Sequence, residues 1–534
     1  MSGDTAARGG RRLLAAALAL LGLHVLLTVA VTPEAPFLRL PVALSPDLLL
    51  LAGAALLLPR AWLPPALWVR VLLATALLAA VAVRIAGLIA VELLGRPLDP
   101  AGDLPHLANV ADMLGTVHPA LAFAVLVPLV GLVGGGLAVL LALALGILAE
   151  AAARPPRRRR LVGGFALAAL GLGAFLAASA PGPPGGSAFR AAWELAALAA
   201  APPLPLPLSP ALSGAPDLGD ADLYVIFVES YGVAAFEDPG RRPRLEAAAR
   251  RWEEDAAAGG FDFRSAQIQS PTFGGGSWRA HASLLSGVWL ERETDYAALM
   301  RSDRVGLVEL LGRAGYRTVA FEPGITGPWP VGDWYGFDRI YDRAAIGYEG
   351  PAMGWWQVPD QFTLHALNRL EIHRVSGPLF AKVSLITSHI PYWPVPPYVT
   401  PWTRFDDHTA FDGPLRSVAH DDAHDRAELS ERYLTSLEYQ FRILGGFLRD
   451  FAPRRALVAV IGDHQPPRLS LHDSDTWATP IHLFSRDPDL LAPWEARGFT
   501  RTLVPEAGTA WRMSDFPHDL AAFFPEQASR SATR

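Results

Sequence analysis

The chain contains no cysteine, which at once removes a disulfide framework, a zinc–thiolate centre and a cysteine nucleophile. It also lacks an excess of positive charge. Its 46 Lys and Arg against 52 Asp and Glu leave a formal charge of −6, so no basic field invites a nucleic acid. A signal-peptide cleavage pattern is missing after Arg8, Arg11 and Arg12, and the first apolar run reads as an uncleaved span.

What the chain has in abundance is apolar surface. Of 534 residues 51% are hydrophobic and the mean hydropathy is +0.24, more than a soluble protein carries. Five runs, 13–31, 42–58, 68–93, 120–148 and 161–180, each approach the roughly 20 residues that a bilayer-crossing helix needs. The N-terminal arginines, Arg60, Arg154 and Arg157 to Arg160 all fall on one side of these spans, which the positive-inside rule assigns to the cytoplasm. Everything after the fifth span is then outside, as expected of a bacterial inner-membrane protein.

The organisation this predicts is a five-helix transmembrane domain over 1–180, a Pro/Gly-rich linker with an interfacial helix over 181–216, and an extramembrane domain over 217–534. Arg84 and Glu92 lie in or near the third span, where an ionisable group is either functional or snorkels to the headgroups. The loop 95–118, with Asp99, Asp103 and His106, falls on the outer side.

The outer domain alternates apolar strand-like runs with helical stretches, which predicts an α/β fold with a largely parallel central sheet. The run 223–228 ends in Glu229, the run 379–386 leads to His389, and the run 456–461 ends in Asp463 and His464. Ligands of open α/β sheets collect at the carboxyl ends of strands, so these four are placed as site residues. The run 317–321 is a further strand, and 241–255 reads as a solvated helix.

Between the first two of these strand ends stands Ser270-Pro271-Thr272-Phe273-Gly274-Gly275-Gly276-Ser277-Trp278-Arg279-Ala280-His281. Glycines allow positive φ and a helix start offers N–H groups to an anion, so Ser277 is the candidate nucleophile of a phosphate or sulfate site. His281 lies one turn on, either contacting substrate or packing. Trp329 and Trp334, in an aromatic-rich stretch, either line a headgroup or sugar pocket or pack loops over the sheet. Asp360 and His365 echo a second metal pair, but five residues on a helix puts them about 140° apart.

Asp463 and His464 offer oxygen and nitrogen to one cation, and with Glu229 and Ser277 they make a coherent one-metal site. The metal would lower the serine pKa and polarise a phosphoryl group. A histidine at position 389 suits a phosphate contact or proton transfer to a leaving group.

The succession V-x-x-x-E-S, G-G-G-S-W-x-A-H, S-H-x-P and G-D-H, behind five spans, resembles the sulfatase-like branch of the alkaline phosphatase superfamily. Its membrane phosphoglycerol transferases and lipoteichoic acid synthases have this layout over most of the chain. The resemblance implies an alkaline-phosphatase-like fold, Glu229, Ser277, Asp463 and His464 as ligands of one divalent ion, Ser277 and His389 as catalytic residues, and Mn²⁺ ahead of Mg²⁺ or Zn²⁺. It also implies a membrane phospholipid donor and an envelope glycan or lipid acceptor. The Cys/Ser-x-Pro-x-Arg signature of formylglycine sulfatases is absent, which argues against sulfate ester hydrolysis, and no Trp-Asn-Arg signature stands near Trp329 or Trp334. Water as acceptor gives a phosphodiesterase or phosphatase, and a non-catalytic glycan-binding membrane protein is the remaining class.

Overall fold

A computed structural model describes 209–353, 358–374, 377–411, 426–452, 455–468, 470–471, 474–506 and 511–525. Upstream it describes 15, 18–21, 23, 30–32, 35–39, 46–57, 67–94, 139, 141–147 and 157–177. The chain divides into two compact units, Met1–Glu92 with Arg96–Pro202, and Leu93–Gly95 with Pro203–Arg534.

In the first unit, helices Pro46–Leu57, Leu67–Leu94 and Arg157–Ala177 fall on the second, third and fifth expected spans. Helices Pro46–Leu57 and Arg157–Ala177 pack together, and Leu48, Ala74, Leu77, Ala80, Val81, Leu141 and Ala142 share a buried cluster. Among the described residues, no helix is long and apolar enough to cross a membrane. Strands β1 (Ala30–Thr32) and β2 (Ala35–Arg39) form an antiparallel pair, so the end of the first expected span is extended rather than helical. Most of the first and fourth spans, the loop 95–118 and the linker 181–208 lie outside the described residues.

The second unit is built on eight strands: β3 (Asp222–Val228), β4 (Asp262–Gln269), β5 (Arg317–Glu322), β6 (Arg339–Asp342), β7 (Leu379–Leu385), β8 (Ala456–Gly462), β9 (Ala478–Ser485) and β10 (Trp511–Arg512). Their order is β10-β4-β9-β8-β3-β7-β5-β6, and only β9 runs against the rest. The largely parallel sheet expected from the apolar runs is therefore present.

Helices cover both faces, which explains why β7, β8 and β9 are buried along their whole length and show no polar alternation. Along β3, Tyr224, Ile226 and Val228 enter one core with helices Arg242–Ala258 and Arg426–Asp450. Leu223, Val225 and Phe227 enter the other, with helices Ser277–Ser286, Leu307–Arg313 and Phe516–Phe523. Helix Arg242–Ala258 departs from the solvated reading of 241–255. Its charged residues face out, but Leu245, Ala248, Ala249, Trp252 and Ala256 make a buried stripe at helical spacing.

The register fixes the site. Val228 of β3 pairs with Leu385 of β7 on one side and Gly462 of β8 on the other. Glu229 N then donates to Leu385 O at 3.0 Å and Asp463 N to Val228 O at 3.2 Å, so the polar residues that follow the three central strands emerge level.

Candidate active site

Ser277 reaches this sheet edge from the far end of β4. Gly274, Gly275 and Gly276 have φ of 65°, 148° and 81°, and Ser277 opens the helix Ser277–Ser286. The turn has no room for a side chain at Gly276, because a Cβ there would lie 2.8 Å from the Arg279 guanidinium and 2.9 Å from Thr272 Oγ1. Arg279 holds the turn from inside, donating to Thr272 Oγ1 at 2.8 Å and Glu291 O at 2.5 Å. Gly274 N donates to Gln465 O at 3.0 Å, tying the turn to the segment after β8. The glycine-rich turn into a helix start is what the sequence suggested.

Ser277 Oγ donates to Glu229 Oε2 at 3.0 Å and lies 3.2 Å from His464 Nε2. His464 Nε2 is 3.3 Å from Glu229 Oε1 and 3.7 Å from Asp463 Oδ2. Asp463 Oδ1 accepts from Ser230 N at 2.8 Å and His464 N at 2.7 Å. Ser230 sits at φ 55°, and Tyr433 OH, donating to its carbonyl at 2.7 Å, helps to hold it there. The His464 Nδ1 donates to Gln465 O at 2.7 Å, so Nε2 faces Glu229 and Ser277 and is the nitrogen that would give up its proton to bind a cation.

Glu229, Asp463 and His464 are 7%, 1% and 1% exposed, and each offers a ligand atom within 4.8 Å of the others. Burial and the Glu229 charge push Asp463 up to about 7 against the relief given by His464. For Glu229, burial opposes ionisation but the charge of His464 and its hydrogen bond win, and the carboxyl lies well below the usual range. Burial would lower His464, yet Asp463 and Glu229 lift it to about 9. Two buried carboxylates this close favour a cation, and the oxygen and nitrogen donors suit a divalent ion of the Mn²⁺, Mg²⁺ or Zn²⁺ type. The residues therefore fit the expected metal.

His389 follows β7 in the same end of the sheet, where Nδ1 donates to Ile390 O at 2.7 Å and leaves the lone pair of the neutral ring on Nε2. Burial lowers its pKa while the charge of Glu229 works the other way. His281, on helix Ser277–Ser286, lies 3.9 Å from Asp463 Oδ2. Trp334 donates its indole N–H to Ser302 O at 3.0 Å, and with Trp329 it packs around Tyr335.

Asp360 and His365 do not share a site. Asp360 is fully buried and accepts from Ile386 N at 2.7 Å, Thr387 N at 2.9 Å and Gln440 Nε2 at 2.9 Å, while His365 Nε2 meets Asp406 Oδ1 at 2.9 Å. Asp360 thus holds the turn between β7 and His389. A further group missed by sequence reasoning is Lys382, with Glu322 and Ser384, on β5 and β7. Its signal was a lone cation inside an apolar strand.

Residues 266–487 match the Sulfatase family, a range that holds Ser277, His389, Asp463 and His464. That stretch lies within the second unit and agrees with the resemblance its motifs carried. A search of curated proteins found no match. Among solved structures, the lipoteichoic acid synthase LtaP from Listeria monocytogenes is 14% identical over 58% of this chain and 79% of that one, with a TM-score of 0.38. The integral membrane lipooligosaccharide phosphoethanolamine transferase A (EptA) from Neisseria meningitidis is 14% identical over 72% and 75%, with a TM-score of 0.38. The Streptococcus pyogenes phosphoglycerol transferase GacH, in complex with sn-glycerol-1-phosphate, is 12% identical over 59% and 82%, with a TM-score of 0.36.

Proposed function

We propose that this chain, a sulfatase-like enzyme, is a membrane-anchored, metal-dependent transferase. It moves a phospho-alcohol headgroup, of phosphoglycerol or phosphoethanolamine type, from a lipid to an envelope glycan or lipid through a covalent bond to Ser277. The observation that carries this is the Ser277 hydroxyl, set at a helix start 3.0 Å from Glu229 and 3.2 Å from His464.

Glu229, Asp463, His464 and the Ser277 oxygen would hold one divalent ion, Mn²⁺ by preference. Bound there, it would lower the Ser277 pKa and draw charge from the phosphoryl group. Ser277 Oγ, its proton released to solvent and regained at the end of the cycle, attacks phosphorus, the bond to the lipid alcohol breaks, and His389, protonated on Nε2 beside the anionic substrate, delivers that proton to the departing oxygen. The acceptor hydroxyl then attacks the same phosphorus, gives its proton to His389 and releases Ser277. N–H groups at the start of helix Ser277–Ser286 favour the anionic group throughout.

The apolar first 180 residues and the helices that fall on three of the five expected spans support anchoring in a bacterial cytoplasmic membrane, with the catalytic domain outside. Tethering raises the effective concentration of a lipid donor, which favours transfer from lipid.

The test uses the full chain with Mn²⁺ and vesicles of phosphatidylglycerol and phosphatidylethanolamine. Mass spectrometry is expected to find a headgroup phosphate adduct on Ser277, and Ser277→Ala is expected to lose at least ~10³-fold in headgroup release. Full release by Ser277→Ala would remove the proposed nucleophile. Free headgroup as the sole product, with and without a glycan acceptor, would favour the hydrolase reading.

A further inference from the structure

Lys382 is the only lysine in the chain, every other strongly basic side chain being arginine. It stands in the middle of β7, 2% exposed. Its ammonium forms an ion pair with Glu322, lies 2.7 Å from Ser384 Oγ and 3.1 Å from His281 Nδ1, and Ser384 Oγ donates to Glu322 Oε2 at 2.9 Å. An ammonium has three N–H donors and no lone pair, so these three acceptors use it up. A planar guanidinium cannot splay its donors in three such directions.

This contact decides the state of His281. With Nδ1 accepting from an ammonium, the ring is neutral and its proton sits on Nε2, because an imidazolium would turn a second N–H on Lys382. Phe227 packs against the ring, with centroids 4.0 Å apart and the planes tilted by 33°, and limits its rotation. The Nε2 is buried and has no hydrogen-bond partner, and at 3.9 Å it stands too far from Asp463 Oδ2 to donate to it.

The contrast with the neighbouring histidines is chemical. His464 and His389 direct Nδ1–H at carbonyls, which makes Nε2 the nitrogen that loses its proton, whereas in His281 Nε2 is the nitrogen that keeps one. A protonated ring nitrogen cannot ligate a metal, but it donates to an anionic oxygen.

We propose that His281 is a further catalytic residue whose Nε2–H donates to a non-bridging oxygen of the phosphoryl group under transfer, and that Lys382, braced by Glu322 and Ser384, is the positioning residue that fixes this tautomer. The proposal rests on Ser277-centred phosphoryl transfer and assigns the substrate contact that the metal ligands leave open.

The single lysine makes the test direct. In full-length protein labelled with [ε-¹⁵N]lysine, the one side-chain signal is expected to be that of an ammonium. In [¹⁵N]histidine-labelled protein, with His281→Gln for assignment, long-range ¹H–¹⁵N spectra are expected to show His281 protonated on Nε2, unchanged when Mg²⁺ is added. With bis(4-nitrophenyl) phosphate as probe, His281→Ala is expected to lower kcat about 10²-fold, with Mn²⁺ affinity kept and part of the rate recovered in His281→Gln. A proton on Nδ1, a tenfold loss of Mn²⁺ affinity in His281→Ala, or an unchanged kcat would each overturn the assignment. Ser277→Ala measured alongside separates the two readings. If it is inactive while His281→Ala is not impaired, only the role of His281 falls, and if it is fully active the transfer reading falls.

Discussion

Two buried side chains, Asp360 and His482, are ionisable, yet each has been given a different task by what surrounds it. Asp360 is the clearer. It came into view as half of a loose metal echo, and its two oxygens are instead occupied by Ile386 N, Thr387 N and Gln440 Nε2. Replacing it by alanine leaves two buried backbone donors unmet, at a cost of roughly 3 kcal/mol or more, and lets the turn that carries His389 move. Urea unfolding should show that loss, and kcat should fall while Mn²⁺ affinity holds. His482 is a second case. It is buried between Tyr231 OH at 3.0 Å and Ser265 Oγ at 2.8 Å, and burial drives its pKa down to about 3. The unfolded chain, with an ordinary value near 6.5, binds the proton first as pH falls. Its contribution is therefore complete above about pH 6.5 and is lost toward pH 3, by roughly 5 kcal/mol in all. Hydrogen exchange in β8 and β9 should track that loss, and His482→Gln should flatten this part of the curve.

At the scale of elements, the site is a set of strand ends and one turn, and that is why so much of it was legible. Glu229, Asp463 and His464 stand directly after runs so apolar that a polar residue there marks a terminus. The Gly274–Gly276 run marked a backbone that side chains cannot follow. Strand β9 was not legible, since Ala478–Ser485 contains a proline and a histidine and reads as neither a period-2 strand nor a continuous apolar run. Lys382 escaped because β7 reads as a buried strand with one misfit, and its partners Glu322 and His281 come from elements remote in sequence. Gly276→Ala tests the turn. At φ 81°, with a Cβ forced against Arg279 and Thr272, it should cost about 1–3 kcal/mol and displace Ser277, seen as a lower thermal midpoint together with a large loss of kcat.

For the molecule as a whole, a cation held by the buried cluster Glu229, Asp463 and His464 would couple folding of the second unit to its binding. An ion that binds only the folded form stabilises it by about 2.7 kcal/mol at a hundredfold excess over Kd. Titration with Mn²⁺ should raise the thermal midpoint of the second unit, chelation should reverse it, and Asp463→Asn should abolish the response. An unchanged midpoint at saturating ion would count against these three residues as ligands.

The level ends of β8, β3 and β7 set different tolerances for different kinds of genetic change. Because the hydrogen-bonded ladder sets the height of Glu229 and Asp463, exposed positions in the excursion that follows His389 can change while those two side chains keep their places, whereas Tyr392, Val399, Trp402 and Phe405 there are core residues. A single inserted residue within β3 has the opposite effect: by shifting the register against β7 and β8 it turns Glu229 to the other side of the sheet, away from Asp463 and His464.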